Sequence, residues 1–390
     1  MASRLDRRPV IAGLGLTELG RVYGRSATGW AMEAVRLAVV DAGLELRDVD
    51  GLLTSSGITG GVGLGLQREL DLVDLRLLSE MQAFGSTAAG MVQVAAMAVE
   101  AGMADVVACV FADSPLQPGR ATGHAYQGAR AVPTGWGGLL AVTGATGANT
   151  LYALAARRHM LRYGTTTEDF GAIAVAQRAW AVDNPRAQMR QPITLADHQA
   201  SRWVADPFRL LDCCLVSNGG IAVVVTSAGR AGSLAQPPVY VLGWGQSHPG
   251  HYFQRDENFG LVTGAARSGP AALAMAGVGI HEVEIAELYD CYTFTVLVSL
   301  EDYGFCEKGE GGAFVSSGAL GRDGKLRCNT GGGQLSSYYM WGMTPLSEAI
   351  IQVRGQGGAR QVHPHDVVLV SGNGGILDHH ATLVLGTGPT

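Results

Sequence analysis

Two stretches of the chain read alike, and this repetition constrains the fold more than any other feature. Residues 41–52 and 275–286 each carry Ala-Gly-apolar, three further residues, and then acidic-Val-acidic. They run Ala42-Gly43-Leu44 to Asp48-Val49-Asp50 and Ala276-Gly277-Val278 to Glu282-Val283-Glu284. Each follows a helix-like stretch, 27–40 and 270–274, so Gly43 and Gly277 read as helix C-terminal caps with a short apolar strand next. A second pair repeats in the same order. A small-residue helix over 86–101 precedes the apolar run 104–110, and a helix around 345–354 precedes the run 365–371. Continuous apolar runs fit central strands covered on both faces. The order helix, strand, helix, strand, met twice, predicts two α/β halves with parallel or mixed sheets. They span 1–236 and 237–390 and join near Gln236 and Pro237. Residues from about 112 to 215 have no repeat partner. Helical patterns over 149–163 and 168–182 predict an inserted loop domain over a site, with a plain helical subdomain as the alternative.

Composition narrows the function classes. With 390 residues, 47% of them hydrophobic, the chain can bury one large core or two medium ones. A charged fraction of 16% and a net charge of -6 leave no basic footprint for nucleic acid and no polybasic membrane anchor. No apolar run follows a basic N-terminus as in a signal peptide. No stretch approaches the roughly 20 apolar residues of a spanning helix. A soluble, cytoplasmic protein is the expectation. Cys109, Cys213, Cys214, Cys291, Cys306 and Cys328 form no C-x-x-C pair and read as small buried hydrophobes. Gly13-Leu14-Gly15 lacks the third glycine of a dinucleotide fingerprint and reads as a strand turn.

Four motifs occur in order. They are Leu211-Asp212-Cys213-Cys214 with Ser217-Asn218-Gly219-Gly220, then Glu287-Leu288-Tyr289-Asp290-Cys291-Tyr292-Thr293, then Asn329-Thr330-Gly331-Gly332-Gly333-Gln334-Leu335 running on to Tyr339, Gly342 and Thr344, and last Gly372-Asn373-Gly374-Gly375. With the duplicated α/β pattern and the long insertion, they resemble the thiolase superfamily over nearly the whole chain. The resemblance implies an α/β fold of two related halves, each a mixed five-stranded sheet, sandwiching helices and carrying the inserted loop domain. Where thiolases place their nucleophilic cysteine, this chain has Gln82. Gly372 stands at the second cysteine, Tyr289 at the first motif's His or Asn, and Tyr339 at the Gly-His-Pro histidine. An acyl-enzyme on cysteine is therefore not expected.

Three further patterns resemble the thiolase-like steroid side-chain aldolases, also called lipid-transfer proteins. These are Gly-Gly-Gln-Leu-x-x-x-Tyr over 332–339, Tyr-Asp-x-aromatic-Thr over 289–293, and Ser-Arg-Trp-x-Ala-x-Pro over 201–207. That resemblance implies retro-aldol cleavage of a β-hydroxyacyl-CoA, such as a steroid or bile-acid side-chain thioester, to a ketone or aldehyde and a short acyl-CoA such as propionyl-CoA or acetyl-CoA. Such a reaction needs a base, an acid and an oxyanion site, but no covalent nucleophile. Tyr339 and Tyr292 are the expected base and acid, in either order, with Asp290 positioning its neighbours. Gly374 and Gly375 are the expected oxyanion donors, and Gln82, His379 and His380 are candidate substrate contacts. Adjacent strand residues face opposite ways, so at most one of the two histidines reaches the site. Tyr289, Tyr303 and Tyr338 read as core packing. No third ligand at characteristic spacing joins the histidines into a metal site. The resemblance further implies a small partner with an OB-fold and a zinc ribbon, a homodimer within a two-by-two heterotetramer, and no cofactor in this chain beyond the CoA of its substrate. A thiolase-like acyltransferase or condensing enzyme, and a non-catalytic acyl-CoA or lipid carrier, are the alternatives.

Overall fold

The computed structural model describes residues 7–125, 134–145, 147–251 and 254–389. Its strands are β1 (Pro9–Leu16), β2 (Gly51–Ser56), β3 (Leu77–Glu80), β4 (Val106–Asp113), a short hairpin of β5 (Trp203–Ala205) and β6 (Phe208–Arg209), β7 (Gly219–Ser227), β8 (Val239–Ser247), β9 (Ile285–Glu287), β10 (Arg327–Cys328), β11 (Val367–Gly374) and β12 (His379–Gly386). The helices are α1 (Ala27–Asp41), α2 (Leu66–Glu69), α3 (Thr87–Glu100), α4 (Gly135–Thr143), α5 (Ala148–Tyr163), α6 (Thr167–Ala181), α7 (Leu195–Ala200), α8 (Ala265–Ala276), α9 (Thr293–Tyr303), α10 (Gly311–Ser316) and α11 (Met343–Val353).

The repeat in the sequence is a repeat in topology. One half runs β3-β2-β4-β7-β1 and the other β10-β9-β11-β12-β8. In each, the first three strands are parallel and the last two antiparallel to their neighbours. The duplicated α/β architecture is the expected one, with one difference. The two mixed five-stranded sheets are not separate: Val10 pairs with Tyr240 and Ile11 with Val239, so ten strands form one hydrogen-bonded sheet. β1 and β8 would otherwise be open edges, and pairing them satisfies backbone groups that an edge leaves bare. Helix α3 packs on β4 and β7 of its own half and on β11 and β12 of the other, and α11 reaches β1 and β7. The two helices thus form the layer between the halves. The small residues of α3 (Ala88, Ala89, Gly90, Ala95, Ala96) allow that close approach.

Gly13 and Gly15 lie inside β1 rather than in a turn. A Cβ on either would overlap a carbonyl oxygen of α1, that of Ala38 or Ala34. Gly243 and Gly245 repeat the arrangement on β8 against Ala272 and Ser268 of α8. These glycines set the helix-to-sheet distance in both halves. Gly245→Ala is expected to lower stability by about 2–3 kcal/mol through overpacking, measured as a shift in the urea midpoint. A shift worth under about 0.5 kcal/mol would mean that α8 can retreat freely.

Between β4 and β7 lie α4 to α7 and the β5–β6 hairpin; residues 126–133 and 146 of this stretch fall outside the described residues. Thr166 and Thr194 begin α6 and α7 with capping boxes closed by Asp169 and Asp197. Two buried contacts tie the stretch to α9: His159 bridges to Glu301 at 3.0 Å, and Asp212, itself bridged to His198 at 2.8 Å, accepts from Thr293. No described helix is long and apolar enough to cross a membrane.

Candidate active site

Within the glycine motif, Gly333–Ser337 folds as one turn of π-helix, and Asp290 braces that turn. Its carboxylate accepts from the backbone N–H of Gln334 at 2.9 Å and of Leu335 at 3.2 Å. Gly333 has a left-handed φ of 58°, and a Cβ there would overlap the Asp290 carboxylate. From the other side the insertion holds the same turn. Asn184 donates to the Gly331 carbonyl and to Ser337, and Arg178 to Ser336. Ser217 then accepts from the backbone N–H of Tyr339 at 2.9 Å. Three separate parts of the chain therefore fix where the Tyr339 side chain leaves the backbone.

Tyr339 meets Tyr289. Their hydroxyl oxygens lie 3.1 Å apart, with Tyr339 half-buried and Tyr289 buried. Tyr289 leaves the chain just past β9, where the backbone N–H of Leu288 donates to Asn329 at 2.6 Å. Its ring approaches the start of α3 closely: a Cβ on Gly85 would overlap both the Cε2–Cζ edge of Tyr289 and the Asn373 carbonyl. A Cβ on Gly372 would lie 2.9 Å from the Gly85 carbonyl, and one on Gly342 would overlap it. The two phenols, the N-terminus of α3 and the glycine strand of residues 372–375 thus share one small space. Phe84 and Trp341, which flank these glycines, both have left-handed φ, 52° and 49°, and their rings lie 5.8 Å apart. Non-glycine residues in this region carry strain, which collects at working sites.

The other expected site residues fall at varying distances from this centre. Tyr292 is buried between Phe208 and Tyr152, with ring centroids 4.8 Å from each, and its hydroxyl donates to Asn149. Burial pushes its pKa well above the ordinary phenol value. The structure therefore joins Tyr339 to Tyr289, and Tyr292 lies in the apolar layer behind. Gln82 is exposed and folds back on its own loop, donating to the Ser56 carbonyl and accepting from Phe84 N–H. His379 stacks on Phe84, its ring centroid 6.5 Å away, and shares a 3.0 Å hydrogen bond with His248. His380 points the other way, into a buried network with Tyr303 at 2.9 Å and Ser371 at 3.1 Å. Burial lowers its pKa to about 3, so it stays neutral. Gly374 abuts Ala83 at the start of α3, and the carbonyl of Gly375 accepts from Tyr152 at 2.7 Å. Cys291 is buried and held up to about 12 by that burial, so it remains a thiol.

The Asp290 carboxyl is pushed up to about 7 by burial, against the pull of its backbone N–H donors. An ordinary unfolded Asp titrates near 3.9. Stabilisation present below that value is thus lost as pH rises through about 7. The stability of wild type minus that of Asp290→Asn should fall by about 4 kcal/mol between pH 4 and pH 8. Urea unfolding at intervals across that range measures it, and a gap that does not change with pH would contradict the assignment.

Chemically, two hydrogen-bonded phenols form a proton-transfer pair. When one ionises, the O–H of the other can donate to the phenolate and stabilise it. Tyr289 escaped sequence reasoning because it reads as packing. Its only signal was its place at the first motif's His or Asn position.

Comparison with known proteins agrees with this frame. Residues 245–387 match the family described as thiolase C-terminal domain-like. The chain is 39% identical to a steroid side-chain-cleaving aldolase from Thermomonospora curvata, over 95% of this chain and 97% of that one. It is 38% identical to a 17-hydroxy-3-oxo-4-pregnene-20-carboxyl-CoA lyase from Mycobacterium tuberculosis, over 90% and 92%. A solved structure described as an Ltp2-ChsH2(DUF35) aldolase superposes with a TM-score of 0.86 at 38% identity, covering 98% of each chain.

Proposed function

Because this chain belongs to the thiolase superfamily, within its steroid side-chain-cleaving aldolases, we propose that its Tyr289–Tyr339 pair moves the protons of a retro-aldol cleavage. The chain is a carbon–carbon lyase acting on a CoA thioester. Its substrate is a β-hydroxyacyl-CoA whose hydroxyl sits on a steroid ring carbon. One phenolate oxygen takes the β-hydroxyl proton. The Cα–Cβ bond breaks, its electron pair passing to the thioester as an enolate, and the β-carbon leaves as a ketone. The other phenol returns a proton to Cα, giving propionyl-CoA or a similar short acyl-CoA. Atoms and charge balance with no acyl-enzyme and no oxidant. The glycine strand at 372–375 and the N-terminus of α3 offer backbone N–H donors to the thioester oxygen as its charge develops.

The observation that carries this reading is the 3.1 Å contact between the two phenols at thiolase catalytic positions. Cleavage in D2O is the test. The acyl-CoA product should carry one deuteron at Cα, and the protein mass should stay unchanged during turnover. An acyl adduct on the protein would instead indicate an acyltransferase. The solved aldolase named above contains a DUF35 component. A small partner with an OB-fold and a zinc ribbon, in a two-by-two assembly, is part of this proposal and would supply the remainder of the CoA channel.

A further inference from the structure

The loop that follows β11 is strained and held by outside clamps. Gly375 and Leu377 both have a left-handed φ of 65°, a conformation that costs a leucine of order 1–3 kcal/mol. The buried Arg255 donates to the Leu377 carbonyl at 2.7 Å. On the other side, Tyr152 of α5 donates to the Gly375 carbonyl at 2.7 Å. The direction of that bond is fixed. The amide nitrogen of Asn373 can only donate, and it lies 3.3 Å from the Tyr152 oxygen. The Tyr152 hydroxyl accepts from Asn373 and therefore gives its own proton to Gly375. Its ring is buried and packs against Tyr292 at 4.8 Å, which holds the hydroxyl in place.

A glycine peptide without such an anchor can rotate cheaply. Rotation at Gly375 would turn a carbonyl oxygen toward the developing enolate and replace a favourable dipole with a repulsive one. We infer that Tyr152 is a positioning residue for the thioester-oxygen site: it binds the Gly375 carbonyl so that the loop presents N–H groups, not carbonyls, to the enolate. It touches neither substrate nor reacting atoms. The insertion thereby serves the chemistry through the Tyr152 hydroxyl as well as through Asn184 and Arg178, which hold the π-helical turn. This role rests on the enolate reading of the site given above.

The experiment uses the full chain co-expressed with a DUF35-type partner and compares two ligands. Propionyl-CoA reports ground-state binding. 2-Nitropropionyl-CoA, which ionises to a nitronate shaped like the propionyl-CoA enolate, reports binding of the charged state. Tyr152→Phe should weaken nitronate binding about 10- to 100-fold, less than loss of a direct oxyanion donor. It should leave propionyl-CoA binding within about twofold and lower kcat by the same factor as the nitronate affinity. Asn373→Ala, which removes the donor to Tyr152 but keeps the phenol, should show a smaller loss with the same selectivity. Equal loss of both ligands, or no loss of either, in both variants would overturn the role. A wild type that neither cleaves a β-hydroxyacyl-CoA nor prefers the nitronate would sink the enolate reading itself. A wild type that does both beside an indifferent Tyr152→Phe would sink the positioning role alone.

Discussion

Tyr339→Phe is expected to lower kcat for β-hydroxyacyl-CoA cleavage by about 10²- to 10⁴-fold, the usual worth of a positioned acid or base. KM should change little, because the phenol works on protons in flight and not on ground-state binding. Stability should change little as well. Tyr339 is half-buried, and its backbone is held independently by Ser217 and the π-helical turn. Tyr289→Phe should behave alike, since each hydroxyl is the other's partner. Tyr292→Phe gives the contrast. Its hydroxyl donates to Asn149 behind the site, so its loss should cost about 1 kcal/mol of stability and less than about tenfold in kcat. Steady-state rates for the three variants, with melting curves alongside, decide the matter. A full-rate Tyr339→Phe would remove the phenol pair from the chemistry.

Gly85→Ala should be the most damaging change of a single methyl group. The added carbon would overlap the Asn373 carbonyl and the ring edge of Tyr289 together. One obstacle is the backbone of β11 at the buried Asn373, and the other is the ring of Tyr289. Neither can yield without cost: overpacking a site this tight destabilises by about 1–3 kcal/mol. The ring is the softer obstacle, so Tyr289 should swing and its 3.1 Å contact with Tyr339 should open. A misplacement of about 1 Å is enough to cost about 100-fold in rate. The expected result is a folded, somewhat destabilised protein with at least that loss in kcat. Retained activity at lowered stability would show that the phenols tolerate being parted.

The large features of the fold were legible because they rest on local rules. Gly43 and Gly277 carry φ of 74° and 72°, as helix-ending glycines should, and the apolar runs became the buried strands β4 and β11. The helices of the insertion appear where their periodicity places them, at α5 and α6. Long-range relations were not legible. The β1–β8 seam rests on two residue pairs some 230 positions apart, and no local pattern announces it. The glycines of β1 look like turn glycines until α1 is seen packed on them. The candidate site divides the same way. Tyr339 and Asp290 stood out by motif position, but the partner of Tyr339 depends on how a strand end and a π-helical turn meet in space. Tyr289 and Tyr292 lie three residues apart in one motif, and only the fold turns one toward Tyr339 and the other toward Asn149.

Tyr289 and Tyr339 are expected to act as one unit. Cleavage by the double variant Tyr289→Phe/Tyr339→Phe, set beside both single variants, measures it. The predicted kcat of the double variant is close to that of the worse single variant, because removing either hydroxyl already disables the pair. A double variant slower by the product of the two single losses, about 10⁴-fold or more, would show two independent residues and contradict the shared proton path.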